Sequence, residues 1–137
     1  MIKVQFGSDL GITNEDIEKI SPQITFITSN AEIEAIALVS QDGYQIAFSA
    51  LPNYTVDSDA FCGLASALTM TGRSTIQSLF QEDLSEIIVR ANDGYIVVTN
   101  AGRLVIASAG TRIDTLMKTV KVMRIAAKNL MKIFEGR

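Results

Sequence analysis

Few residues in this chain could carry chemistry, and they do not converge. Histidine is absent, which removes the commonest general base and metal ligand. The single cysteine, Cys62, lies in the uncharged run Ala60 to Gly72, AFCGLASALTMTG, whereas a reactive thiol needs an electropositive, exposed setting. It reads as inert core in a reducing compartment, with no internal disulfide. The carboxylates scatter along turns and helix starts, where capping and solubility account for them, and no arrangement supplies a base to a serine or threonine. Gly7 to Gly11 lacks the lysine and the preceding strand of a phosphate loop. Arg73 is the only charge in the middle of its helix. An arginine lent by one protein to another can speed phosphoryl transfer by several orders of magnitude. Such a finger projects from a mobile loop, however, so a helical arginine reads first as a solvated charge or a partner for Glu82. No catalytic, cofactor-binding or metal-binding residue is expected.

The run around Cys62 is more informative than any polar group. A helix uncharged all round has no face for water. Phe61, Leu64, Leu68 and Leu79 recur at helical spacing and are expected to face a core. Ala60, Gly63, Ala67, Met70 and Ser74 form a second stripe, smooth and dry, on which something packs. Small residues let helix backbones approach closely, so the expected occupant is a second copy of this helix or a helix of another protein. A binding module is indicated before an enzyme.

At 137 residues the chain is one domain by length and buries roughly two-thirds of its unfolded surface. A hydrophobic share of 47% with only two prolines is slightly richer than a monomer requires, which again suggests an interface. No apolar run reaches the roughly 20 residues of a membrane span, and Met1 to Asp9 lacks the features of a signal peptide. The expected location is the cytoplasm. The net charge of −3 hides an uneven distribution: up to Gly102 acids outnumber Lys and Arg 13 to 4, and from Arg103 eight basic residues face only Asp114 and Glu135. Lys118, Lys121, Lys128 and Lys132 fall along one side of the last helix with Arg124 nearby. This is a solvated face, or a weak contact for an acidic partner or an anionic lipid surface. Nucleic acid is not expected, given the negative net charge and the lack of aromatics among the lysines.

Met1 to Phe6 is expected as a short strand or extended arm, and Gly7 to Gly11 as a turn. Thr13 is a plausible N-cap, with Glu15 and Asp16 in the first turn of a helix that Pro22 restarts or kinks and Asn30 ends. Glu34 to Gln41 and Tyr44 to Ala50 read as strands around an Asp42-Gly43 hairpin. Asp57, Ser58 or Asp59 caps the long helix, which runs to about Phe80. Leu84 to Ala91, Tyr95 to Thr99 and Arg103 to Ala109 form a meander turned at Asn92-Asp93-Gly94 and Asn100-Ala101-Gly102. The closing helix, about Arg112 to Phe134, puts Ile113, Leu116, Met117, Val120, Met123, Ala127, Leu130, Met131 and Phe134 on one side. Apolar residues follow one another without alternation in Ala35 to Val39, Ile87 to Val89 and Leu104 to Ala107, so both sheet faces should be covered.

The pattern EAIALVSQDGYQIAFS, then a small-residue helix, then EIIVRANDGYIVVTNAGRLVIASAG and a closing helix, resembles the roadblock family, which includes dynein light chains and bacterial polarity regulators. The resemblance runs from Glu15 to Phe134; the N-terminal extension Met1 to Gly11 and Pro22 depart from it. It implies an α+β fold: a five-stranded antiparallel sheet in the order 2-1-5-4-3, with the long helix on one face and the N- and C-terminal helices on the other. Residues 1–11 would be an arm and residues 12–137 a single roadblock-like domain. The resemblance also implies a homodimer, or a heterodimer with a paralogue, in which middle helices pack together and third strands pair. Carried onto this chain, the dimer interface takes Ala60, Gly63, Leu64, Ala67, Met70, Thr71 and Ser74 from the helix. Glu86, Ile88 and Arg90 come from the strand, where Glu86 and Arg90 could bond crosswise to their copies. Family members bind Ras-like small GTPases and scaffold them or regulate nucleotide hydrolysis or exchange, which assigns Met70, Arg73 and Gln77 to partner binding. The rival readings are a light-chain-like adaptor indifferent to nucleotide, and a small-molecule sensor, which would need polar groups inside the sheet.

Overall fold

The computed structural model describes residues 5–6 and 12–135; the expected turn at Gly7 to Gly11 lies outside them. Thr13 opens α1 (Asn14–Asn30) as the N-cap. Its hydroxyl accepts from the Asp16 amide and the Asp16 carboxylate accepts from the Thr13 amide, both at 3.1 Å, so two otherwise orphaned donors are satisfied reciprocally. The helix continues through Pro22 without interruption. Ile20, Ile24 and Ile27, one turn apart, are its buried stripe.

Among the described residues six strands follow the expected hairpin chemistry: β1 (Gln5–Phe6), β2 (Ala35–Ser40), β3 (Gln45–Ala50), β4 (Glu86–Arg90), β5 (Tyr95–Ala101) and β6 (Leu104–Gly110). They form one antiparallel sheet in the order β1-β3-β2-β6-β5-β4. Counted without the two-residue β1, the order is the 2-1-5-4-3 implied by the resemblance. Part of the segment expected as strand or arm therefore joins the sheet, where Gln5 and Phe6 lie opposite Phe48 and Ala47 on the outer side of β3. Gly43 takes the positive φ of +93° that the β2–β3 turn demands. The β5–β6 turn sits two residues later than expected, at Gly102-Arg103, with Gly102 at φ +76°. Asn100 and Ala101 stay in β5 because Asn100 serves the strand: its side chain donates to the Leu84 carbonyl at 3.1 Å and accepts from Gln41 at 3.1 Å.

The central strands are buried on both faces, as their unbroken apolar runs require. On one face α1 and α3 (Leu116–Ile133) pack over Ile36, Leu38, Ile46, Val97 and Ile106. On the other, α2 (Ser58–Phe80) lies over Ala35, Ala37, Val39, Val98, Val105 and Ala107. In α3 the expected stripe holds for Leu116, Val120, Met123, Ala127, Leu130 and Phe134, but Met117 and Met131 are exposed, and Val122 and Ala126 are buried instead. The long helix is turned further from expectation. Phe61, Cys62, Ala65 and Thr69 are buried, Leu68 is half-buried, and Leu64 and Leu79 are exposed. Sheet positions filled by alanine draw α2 in close, so small residues make its core contact and the leucines are displaced to its flank and its overhanging end. Gly72 marks that approach: a Cβ there would stand 2.6 Å from Ile87 Cδ1 and 3.2 Å from Leu84 Cδ2.

Candidate functional site

Among the described residues no group of three His, Cys, Asp or Glu side chains is placed to hold a metal ion. Burial, reinforced by the negative charge of Asp59, pushes the Cys62 thiol up to about 11, and its sulfur donates to Gln45 Oε1 at 3.8 Å. A thiol held protonated is a poor nucleophile. Acidic groups serve local structure: Glu34 accepts from the amide and hydroxyl of Thr111, both at 2.9 Å, and Glu32 and Asp114 pair with Arg112. Between α1, α3 and the sheet, the space lined by Ile24, Leu38, Phe48 and Leu130 is about 10 Å³. That is too tight for a small molecule, and Ser49 is the one polar residue in its lining.

What the fold does build is a surface. The second stripe of α2 points directly away from the sheet, since residues 63, 67, 70 and 74 fall roughly half a turn from Ala65 and Thr69. Ala60, Gly63, Leu64, Ala67, Met70, Thr71, Ser74 and Gln77 are all exposed. Leu64 and Met70 stand 63% and 65% exposed, and at the helix end Leu79 and Phe80 join them. A Cβ on Gly63 would meet nothing within 4 Å, so this glycine is not required by any contact among the described residues. Leu79 reads as core from its type and helical spacing, yet it and Phe80 both lie open. Their exposure follows from α2 outrunning the sheet.

Beside this helix runs β4, whose one partner among the described residues is β5. Its other side is an open row of backbone donors and acceptors, and Ile88 and Val89 on it are exposed. An apolar open edge is a template for another strand. Alternation places Glu86, Ile88 and Arg90 on the α3 side of the sheet and Ile87 and Val89 on the α2 side. Glu86 is 17% exposed in its side chain and binds Arg124 of α3 with both oxygens, at 2.8 Å and 2.6 Å. The two residues are 38 positions apart, and no local signal in the sequence points to this pair. Arg90 reaches only the carbonyl of Ala91, at 3.4 Å, and is exposed. Next to Glu86 a groove of about 440 Å³, lined by Asp83, Asn100, Arg124 and Lys128 among others, opens along the strand.

Arg73 is half-buried on the flank of α2, and no ion pair with Glu82 or any other acid forms among the described residues. Its Nε is shielded from solvent and has no acceptor. A half-buried arginine does not project as a finger. A shielded donor without a partner is costly.

A model of the Roadblock/LC7 domain matches residues 23–108. The chain belongs to the Roadblock/LC7 domain family. The roadblock fold here is also that of solved relatives. The gliding protein MglB from Thermus thermophilus superposes with a TM-score of 0.80 at 13% identity, over 96% of this chain and 99% of that one. MglB from Myxococcus xanthus gives 0.79 at 19% identity over 92% and 95%. An MglB with a tetrameric arrangement gives 0.79 at 14% identity over 94% and 97%. At such identities the likeness is one of fold. No curated protein matches the chain in sequence. In this roadblock domain, no helix among the described residues is long and apolar enough to cross a membrane.

Proposed function

We propose that this roadblock domain, residues 12–137 with the arm 1–11, is a cytoplasmic dimer that binds a Ras-like small GTPase and regulates or positions it, contributing a surface and no active site. The observation that carries the reading is the unpartnered apolar band formed by the outer stripe of α2 and the open edge of β4. A soluble chain does not leave such a band uncovered without use. A second copy, or a paralogue, fits it: β4 pairs antiparallel with its counterpart, and Ala60, Gly63, Leu64, Ala67, Met70, Thr71 and Ser74 meet across the two helices. Glu86 is already held by Arg124, so the crosswise bond to Arg90 of the other copy forms as an addition to that pair, at the mouth of the groove beside it. Met70, Arg73 and Gln77, towards the C-terminal half of the helix, meet the GTPase. Family membership supports a regulatory or adaptor role in place of catalysis.

The test is capture from the source cell's extract with the protein as bait, run with a GTP analogue and with GDP and read by mass spectrometry. The expected result is a small GTPase enriched in one nucleotide state. Equal capture in both states, or partners without a nucleotide site, would replace regulation with the light-chain-like adaptor role.

A further inference from the structure

The outer face of α3 is not used by the reading above. Lys118, Lys121, Lys128 and Lys132 are all exposed on it, within a span of about 21 Å along the helix. They fall within roughly a quarter of its circumference, and none of the four makes an ion pair among the described residues. Arg124 on the same face is held by Glu86. Met117 and Ile125, both exposed, flank the lysine row. The row stands out further because the rest of the chain is acidic: the net charge is −3, yet eight of the twelve basic residues lie from Arg103 onward.

Dimer geometry doubles the row, and in this respect the inference rests on the proposed function. Two strands paired antiparallel by a two-fold axis require that axis to stand normal to the sheet. Rotation about the normal leaves each sheet face on its own side. Both copies of α3 therefore lie on one face of the dimer and both copies of α2 on the other. Because α3 reaches over to β4 through Arg124 and Glu86, the two lysine rows lie on either side of the axis, side by side.

We infer that the α3 face is a docking surface for an anionic lipid bilayer, holding the dimer flat with the α2 helices turned towards the interior of the cell. Charge complementarity is the attraction, since juxtamembrane lysines each strengthen binding to an anionic surface by about fivefold. The flanking Met117 and Ile125 favour lipid over other anions. Exposed apolar side chains beside lysines enter the headgroup boundary, whereas a nucleic acid backbone offers them nothing. An acidic protein would need directional donors held in a fixed geometry to set its register, whereas the row offers ammonium point charges on flexible stems.

The experiment is co-sedimentation of the full chain with vesicles of phosphatidylcholine alone and with about one-third phosphatidylglycerol, with the oligomeric mass of the same sample read by light scattering. The expected result is binding to the anionic vesicles only, falling steeply as salt is raised. The variant K118Q/K121Q/K128Q/K132Q should lose at least tenfold in binding, and K118E/K121E/K128E/K132E should lose it entirely, with unchanged circular dichroism. Equal binding to both vesicle types, or undiminished binding by the folded glutamate variant, would overturn the inference. So would binding to poly-aspartate or duplex DNA with none to vesicles. A chain that sediments with anionic vesicles yet has the mass of a monomer would leave the lipid face standing and remove the dimer.

Discussion

On one face of the sheet two helices, α1 and α3, close over Ile36, Leu38, Ile46 and Ile106; on the other, α2 alone lies over Ala35, Ala37 and Ala107. Large side chains on the first face reach deep, with Met123 and Leu130 fully enclosed, and two amphipathic helices leave their polar sides to water. Small side chains on the second draw a single helix down onto the strands, and the outward stripe of that helix from Ala60 to Ser74 carries no charge. Buried and exposed apolar surface are therefore divided unequally between the faces. The first supplies most of the buried apolar surface, and the second leaves its apolar excess outside, where a partner can use it.

The largest test of that division lies on the closed face. Leu130→Ala should cost about 2–5 kcal/mol in chemical denaturation, because it opens a cavity where nothing can collapse. Leu64→Ala on α2 should shift the monomer's stability by less than about 0.5 kcal/mol, and an equal loss at both positions would abolish the contrast. Next in size is Ala67→Arg, which puts a long charged side chain in the middle of the outward stripe. It should leave the circular dichroism intact and halve the mass by light scattering; a mass still twice that of the chain would rule out helix pairing. The smallest effect concerns Cys62, under α2. Its folded pKa of about 11 lies above the ordinary 9.0, so the unfolded chain releases the proton first. Stability should be unaffected by this group below about pH 9 and should fall between about pH 9 and 11. Native alkylation at pH 8 should run about a hundredfold slower than in denaturant, and equal rates would mean that α2 does not shield its inner side.

Much of this fold is legible in the sequence because its signals are local. Thr13 with Asp16, Asp42-Gly43 and the unbroken runs in β2 and β6 each place an element, whereas the strand order is legible only through the resemblance to the roadblock family. The rotation of α2 is less legible: Leu64 and Leu79 look like core by type, but the partner surface is lined with alanines that favour Ala65 and Thr69. Met117 and Met131 mislead in the same way on α3. Of the candidate site, the outward stripe from Ala60 to Ser74 is readable from its lack of charge. The tie between Glu86 and Arg124 is not, since it depends on where α3 crosses the sheet, and neither is the unpartnered Nε of Arg73.

The two residues of β1 bear on how large an assembly can become. Gln5 and Phe6 occupy the middle of β3's outer edge, so among the described residues β4 is the one long edge still able to recruit another strand. A chain with two such edges is a link and can add neighbours without limit; a chain with one is an end. In the proposed dimer, pairing at β4 would use up that edge, and raising the concentration would fill dimers without seeding fibres.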